Sequence, residues 1–362
     1  MRFPDPEDPH PPYGRTAHPY FLHDMIRSQP GAIDATVRSM AASTVEFPRP
    51  SAARGPLFVG MGTSFHAALA TAWAAGRDGD AFGGAVASDA FELLLGPETI
   101  QRAGVAVVFS SSGETALTLE AQRALRAARV PQILVSGTPE SRSAALADHL
   151  LRTEQAVERA WVHTVSYTTA VAAAIALLGR WRGTPDPGLA EAGRLAGEVV
   201  AREVEWKALA EQLRDRRKIL LLGSGSAAAT AREAALKLRE GAGRFVAAAG
   251  VEEFLHGILP SVDERTGVLA IATTPPERER AETALAAAAR AGARTVLLAR
   301  GAAPAQGTFA SLPAAPPAIA PIVDIVPFQF LTYWMAVGEG RNPDVMGYDD
   351  PRIFAARRTY GI

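Results

Sequence analysis

Apolar positions along the chain fall into two kinds of run, and their alternation predicts the architecture. Helical spacing begins near His18, where Phe21, Met25, Ile26, Ile33 and Val37 recur on one face. The short continuous run 57–59 reads as a strand, 60–64 as a loop, and the Ala-rich stretch through His66 as a helix. The next unit repeats that order, with a strand at Val105–Phe109, a loop at 110–115 and a helix from Leu117; a further strand follows at Gln132–Ser136. Gly183, Pro185, Pro187 and Gly188 then punctuate the chain. A long helix over 189–213 leads into a restart: strand 218–222, loop 223–226, helix 227–240. Later strands are read at 267–272 and Arg294–Ala299, a loose Pro-rich stretch at 304–321, and a helix at 328–337. Continuous apolar strands that alternate with helices predict parallel sheets buried on both faces. The expected fold is α/β, with two similar lobes, each a doubly wound parallel sheet flanked by helices. The expected division is a disordered or surface-draped arm over 1–17, lobes over 18–195 and 196–340, and a tail over 341–362.

Composition narrows the function classes. Of 362 residues, 48% are hydrophobic, enough for a large core; 37 basic against 38 acidic residues leave a net charge of −1. That balance offers no basic excess for a nucleic-acid backbone. The cluster Arg214, Arg216, Arg217 and Lys218 reads as a solvated helix end. The absence of Cys removes disulfides and thiolate chemistry, and the seven His show no metal-ligand spacing, so neither metal nor cofactor is expected. The start of the chain lacks a secretory leader pattern. No stretch is read as long and apolar enough to span a membrane, the best candidate being the Ala-rich run 168–178. A cytoplasmic protein with no membrane partner is expected.

The chemistry is expected at loops beyond the carboxyl ends of strands, where open parallel sheets bind ligands. The segment Ser110-Ser111-Ser112-Gly113-Glu114-Thr115 joins a buried strand to a helix N-terminus. Free backbone N–H groups, hydroxyls and a permissive glycine there suit a phosphate, although the same residues also suit an ordinary helix cap. No P-loop lysine follows. Gly60-Met61-Gly62-Thr63-Ser64 is the companion loop. Gly223 and Gly225 fit a dinucleotide fingerprint, with Glu252 near the place of a ribose-binding acid, so an oxidoreductase is a minor alternative.

Gly60–Ala67 and Ser110–Thr115 resemble the two phosphosugar loops of the SIS (sugar isomerase) domain family. Glu233-Ala234-Ala235-Leu236-Lys237-Leu238-Arg239-Glu240 and Glu253-Phe254-Leu255-His256-Gly257 resemble the catalytic segments in the isomerase half of glucosamine-6-phosphate synthase, with the same sixteen-residue step from Glu240 to His256. The resemblance runs from about His18 to the C-terminus. It implies that Gly62, Thr63, Ser64, Ser110, Ser111, Ser112, Gly113, Thr115 and Glu158 hold phosphate and sugar. It implies that Glu240 is the base moving a proton between C1 and C2, and that His256 opens the sugar ring. Lys237, Glu253 and Arg357 are further candidates. Read from the residues alone, the i,i+4 spacing of Glu233 and Lys237 suits an ordinary ion pair if the helix is exposed, and leaves Lys237 open between a structural role and a role in the site.

The sequence also departs from the synthase. It shows no N-terminal Cys and no glutaminase domain, its tail offers Arg357 and Arg358 where the synthase has an imine-forming Lys, and His163-Thr164-Val165 stands where the synthase has Ser-Thr-Lys. What remains resembles aminosugar-phosphate deaminases of this family. The implied function is a phosphosugar isomerase or deaminase that takes a hexose 6-phosphate or amino-sugar 6-phosphate. A fructosamine-6-phosphate-type deglycase and a non-catalytic phosphosugar sensor are the alternatives. The resemblance also implies a homodimer in which His256 completes the partner subunit's site.

Overall fold

Residues 15–51, 53–77, 82, 84–155, 157–305 and 307–359 are described by a computed structural model, so most of the N-terminal arm lies outside the described residues. Among these residues the backbone builds two five-stranded sheets in succession, every pairing parallel. The first contains β1 (Pro56–Gly60), β2 (Val86–Asp89), β3 (Val105–Phe109), β4 (Gln132–Ser136) and β5 (His149–Arg152), in the order β2-β1-β3-β4-β5. The second contains β6 (Lys218–Gly223), β7 (Val246–Ala249), β8 (Thr266–Ala272), β9 (Arg294–Ala299) and β10 (Thr308–Ser311), in the order β10-β9-β8-β6-β7. Read from its β7 edge, the second sheet repeats the order of the first. In each, chain direction across the sheet reverses between the first and third strands, which opens a crevice at their carboxyl ends.

Strand alternation sorts the core into three apolar layers. Leu57, Val59, Ala106 and Val108 point to the outer face of the first sheet, and Leu220, Leu222, Val268 and Ala270 to the outer face of the second. Phe58, Val107 and Phe109 face inward, in one continuous cluster with Ile219, Leu221 and Ile271. Helices Phe21–Ala42, Thr63–Gly76, Val165–Arg182, Ser226–Ala242 and Val326–Gly338 fill this central layer. The two lobes therefore share a core, which fixes the helices of one against the crevice of the other.

Three local expectations are corrected. The helix expected over 189–213 is a 3-10 turn and two helices, Ala192–Ala201 and Glu203–Leu213. At the break the carbonyl of Val199 accepts from the Arg202 N–H at 3.1 Å and from the Trp206 indole at 2.8 Å. The stretch read as loose, 304–321, holds β10 and the start of the Ala320–Asp324 helix. The Ala320–Gly338 stretch, 19 residues with mean hydropathy 1.3, does meet the length and composition of a membrane span, yet 89% of it is buried inside the protein.

Candidate active site

The crevice of the first sheet is built by the loops after β1 and β3. Thr63, Ser64, Ser110 and Ser111 line it, joined by Ser136 and Gly137 after β4 and by Thr153 and Gln155 after β5. Gly113 makes the second loop possible. Its φ of +69° is a turn that side chains rarely adopt, and an added Cβ would sit 2.2 Å from Ser141 Oγ. The loop hydroxyls are already oriented: Ser110 Oγ accepts from Gly113 N–H at 3.1 Å, and Ser112 Oγ accepts from Glu114 N–H at 3.2 Å. Each keeps its own proton to donate. Thr115 stands at the N-cap of the Ala116–Ala127 helix with no side-chain bond to that helix. The loop thus combines helix-end N–H groups with hydroxyl donors, an arrangement suited to an anion.

A row of buried charges adjoins this crevice. Lys237 Nζ donates to Glu240 Oε2 at 2.6 Å and to Thr63 Oγ1 at 2.8 Å, and lies 3.4 Å from Glu233 Oε1. Glu233 in turn meets His66 Nδ1 at 2.7 Å and accepts from Thr63 Oγ1 at 3.2 Å. The Lys237 side chain is 1% exposed, Glu233 0% and Glu240 15%. The Glu233–Lys237 pair is therefore part of the core and not the exposed-helix ion pair that its spacing also allowed. Burial penalises both charges, yet Lys237 and His66 hold the Glu233 carboxyl below its ordinary range. Against the same burial penalty, Glu233 and Glu240 hold the Lys237 ammonium above its own ordinary value. Lys237 is thus a fixed cation that orients Glu240, the one carboxylate of the row that reaches solvent.

Glu158 is buried under the N-terminus of the Val165–Arg182 helix. One carboxylate oxygen accepts from Thr164 N–H at 2.5 Å and Val165 N–H at 2.9 Å, and the other from Ser166 N–H at 3.3 Å and from the Ser166 hydroxyl. It shapes the crevice through Ser166, which lines it. His256 and Glu253 lie elsewhere. The His256 side chain is 79% exposed and sits 3.3 Å from Glu252, which Arg280 also grips. Glu253 accepts from Gly250 N–H at 3.2 Å. No residue of the 251–258 segment lines the crevice. Arg357 stacks over Tyr348, its guanidinium carbon 4.6 Å from the ring centre, and donates to Met346 O. Sequence reasoning missed Ser136, Gly137, Thr153, Gln155 and Ser166; the carboxyl end of β4 was the signal for the first two.

The equivalent crevice in the second lobe is filled by the chain itself. Glu277 Oε2 accepts from Thr273 N–H at 2.8 Å and Thr274 N–H at 3.0 Å. The other oxygen lies 2.2 Å from where a Cβ on Gly225 would fall. A carboxylate thus occupies the place that the dinucleotide alternative would give to a pyrophosphate, and Glu252, its ribose acid, is paired with Arg280. Among the described residues no group of three or more His, Asp or Glu is arranged to hold a metal ion.

Two SIS domains account for this geometry: the family matches residues 53–178 and 212–338, one span in each lobe. The chain belongs to the SIS domain family. It is 28% identical over 344 residues to the isomerizing glutamine–fructose-6-phosphate aminotransferase of Pyrobaculum aerophilum, covering 90% of this chain and 56% of the relative. It spans about half the length of the curated relatives it matches. Its fold matches the C-terminal domain of glucosamine-fructose-6-phosphate aminotransferase from Francisella tularensis, with TM-score 0.77 and 21% identity over 91% of this chain and 98% of that one. It also matches glucosamine-6-phosphate deaminase from Thermotoga maritima, with TM-score 0.72 and 20% identity over 90% of this chain and 96% of that one.

Proposed function

We propose that this protein is an aminosugar-phosphate deaminase that converts a 2-amino-2-deoxyhexose 6-phosphate to ammonia and fructose 6-phosphate. The observation that carries the reading is Glu240, a carboxylate steered by a buried ammonium beside a crevice whose loop is built for an anion. The loop 110–115 grips the phosphate and places C1 and C2 toward Glu240. With the ring open, Glu240 takes the C2 proton and returns it to C1. The resulting ketose imine adds water and loses ammonia. Acid-base help of this kind is worth ~10²–10⁴-fold. His256 opens the ring. Its exposure on a segment that does not line the first-lobe crevice of its own chain favours delivery to a second copy, so the active unit is a homodimer with shared sites. A panel of phosphorylated and unphosphorylated amino sugars, assayed for ammonia, tests the reading. Release from glucosamine 6-phosphate and not from glucosamine is expected. Release only from N-substituted fructosamine 6-phosphates would make the protein a deglycase, and binding with no turnover would make it a sensor.

A further inference from the structure

Loss of ammonia from C2 needs a proton on the departing nitrogen, and the groups described so far do not provide it. Glu240 is committed to the C–H proton. Lys237 is buried between Glu233 and Glu240, whose charges hold it protonated against the burial penalty. Glu233 and His66 are bonded to one another at 2.7 Å inside the core. Glu158 spends both oxygens on the helix N-terminus. Tyr167 lines the crevice, but burial pushes its hydroxyl well above its ordinary range; His163 is a partly exposed imidazole that adjoins the crevice through Ser166. Its imidazole is 29% exposed and held only loosely, with Nδ1 3.4 Å from Ser166 Oγ and 3.7 Å from Glu158 Oε2.

Two contacts set His163 between the helix that carries Glu240 and the crevice. Its neighbour Val162 packs against the last turn of the Ser226–Ala242 helix: Val162 Cγ2 lies 3.5 Å from where a Cβ on Gly241 would fall, one residue beyond Glu240. On the other side Ser166, which lines the crevice, is within reach of the imidazole. We propose that His163 is the acid-base group for the substrate nitrogen, supplied by the same chain as Glu240; this rests on the deaminase reading. In the carbinolamine formed when water adds at C2, the imidazolium gives its proton to the amine nitrogen. The C2–N bond breaks, and its electron pair leaves with ammonia. The O–H electron pair of the C2 hydroxyl forms the ketone, and that hydroxyl proton returns to the imidazole. Buried Glu158, 3.7 Å from Nδ1, faces the ring through both transfers.

The experiment separates nitrogen departure from carbon acid chemistry. Wild type, His163→Gln and His163→Ala are each given glucosamine 6-phosphate in deuterated water, and two rates are read: deuterium entry at C2 and ammonia release. In the variants ammonia release is expected to fall ~10²-fold or more, with exchange changed by no more than about threefold. Equal loss of both rates, or loss of neither, overturns the proposal. Failure of both variants to fold would show a structural histidine and overturn it as well. The deaminase reading fails separately, in the wild type, if neither rate is measurable with any amino-sugar phosphate; the proposal then falls with it.

Discussion

The two lobes repeat one topology and use it in opposite ways. Both sheets reverse direction between their first and third strands, and both put a glycine loop and a helix N-terminus at the resulting crevice. In the first lobe, Ser110 and Ser111 line that crevice, and the loop's one carboxylate, Glu114, is turned onto Arg142. In the second, Glu277 reaches back to Thr273 and Thr274 and closes it. The second lobe instead contributes the far end of its first helix, where Lys237 and Glu240 project toward Thr63 of the first lobe. One copy of the fold supplies the cradle and the other the carboxylate. Their shared central core keeps the two in register.

The sharpest way to break this division of labour is to neutralise the second lobe's contribution. Glu240→Gln keeps shape but cannot accept a proton, so turnover should fall by ~10²–10⁴-fold while hexose 6-phosphate affinity stays nearly unchanged. Activity within a few-fold of wild type would make Glu240 structural. The same variant tests the shared site. Mixed with inactive His256→Ala after verified subunit exchange, it should regain activity, because one site then joins an intact Glu240 to an intact His256 of the partner. No recovery would mean that each chain is self-sufficient.

The first lobe's contribution should appear in affinity. Ser110→Ala combined with Thr115→Val removes two hydroxyl donors to a charged group, each worth roughly 1.5–3 kcal/mol. Binding of a hexose 6-phosphate, measured by calorimetry, should weaken by at least ~100-fold, with binding of the unphosphorylated sugar unmoved. Equal weakening of both would place the phosphate elsewhere.

How much of this was legible in the sequence follows from burial. Strands β1, β3, β4, β6, β8 and β9 were readable because their residues are almost all buried and so form continuous apolar runs. The four strands that were missed, β2, β5, β7 and β10, are the four sheet edges. Each has four residues and one side partly open to solvent, so Val86–Asp89 and Thr308–Ser311 carry no apolar run to detect. The site divides in the same way. Contiguous loops such as 110–115 announce themselves by composition, whereas Ser136, Thr153 and Ser166 come together only through strand order. Spacing alone cannot tell an exposed i,i+4 pair from a buried one, and for that reason the role of Lys237 stayed open until the fold showed the pair buried. His163 shows the reverse: it was read only as part of the segment 163–165 in which the synthase lysine is lost, and its contacts with Glu158 and Ser166 needed the folded chain.

The mildest test asks whether the second crevice is closed by structure or by function. Glu277 forms a capping box with Thr274 at the start of the Pro275–Arg290 helix. Losing a cap of this kind costs ~0.5–2 kcal/mol. Glu277→Ala should therefore lower the melting temperature by a few degrees, about 2–4 °C per kcal/mol for a domain of 150–250 residues. Activity should hardly change, because no residue of this crevice lines the first. The vacated N–H groups of Thr273 and Thr274 would then face the same kind of helix end that the first lobe offers, but without three serines around it. If hydroxyls are what make a phosphate site here, the variant should still bind one hexose 6-phosphate per chain. If the helix end alone suffices, calorimetry should show a second, weaker site. That result would move the difference between the lobes from their loops to a single carboxylate.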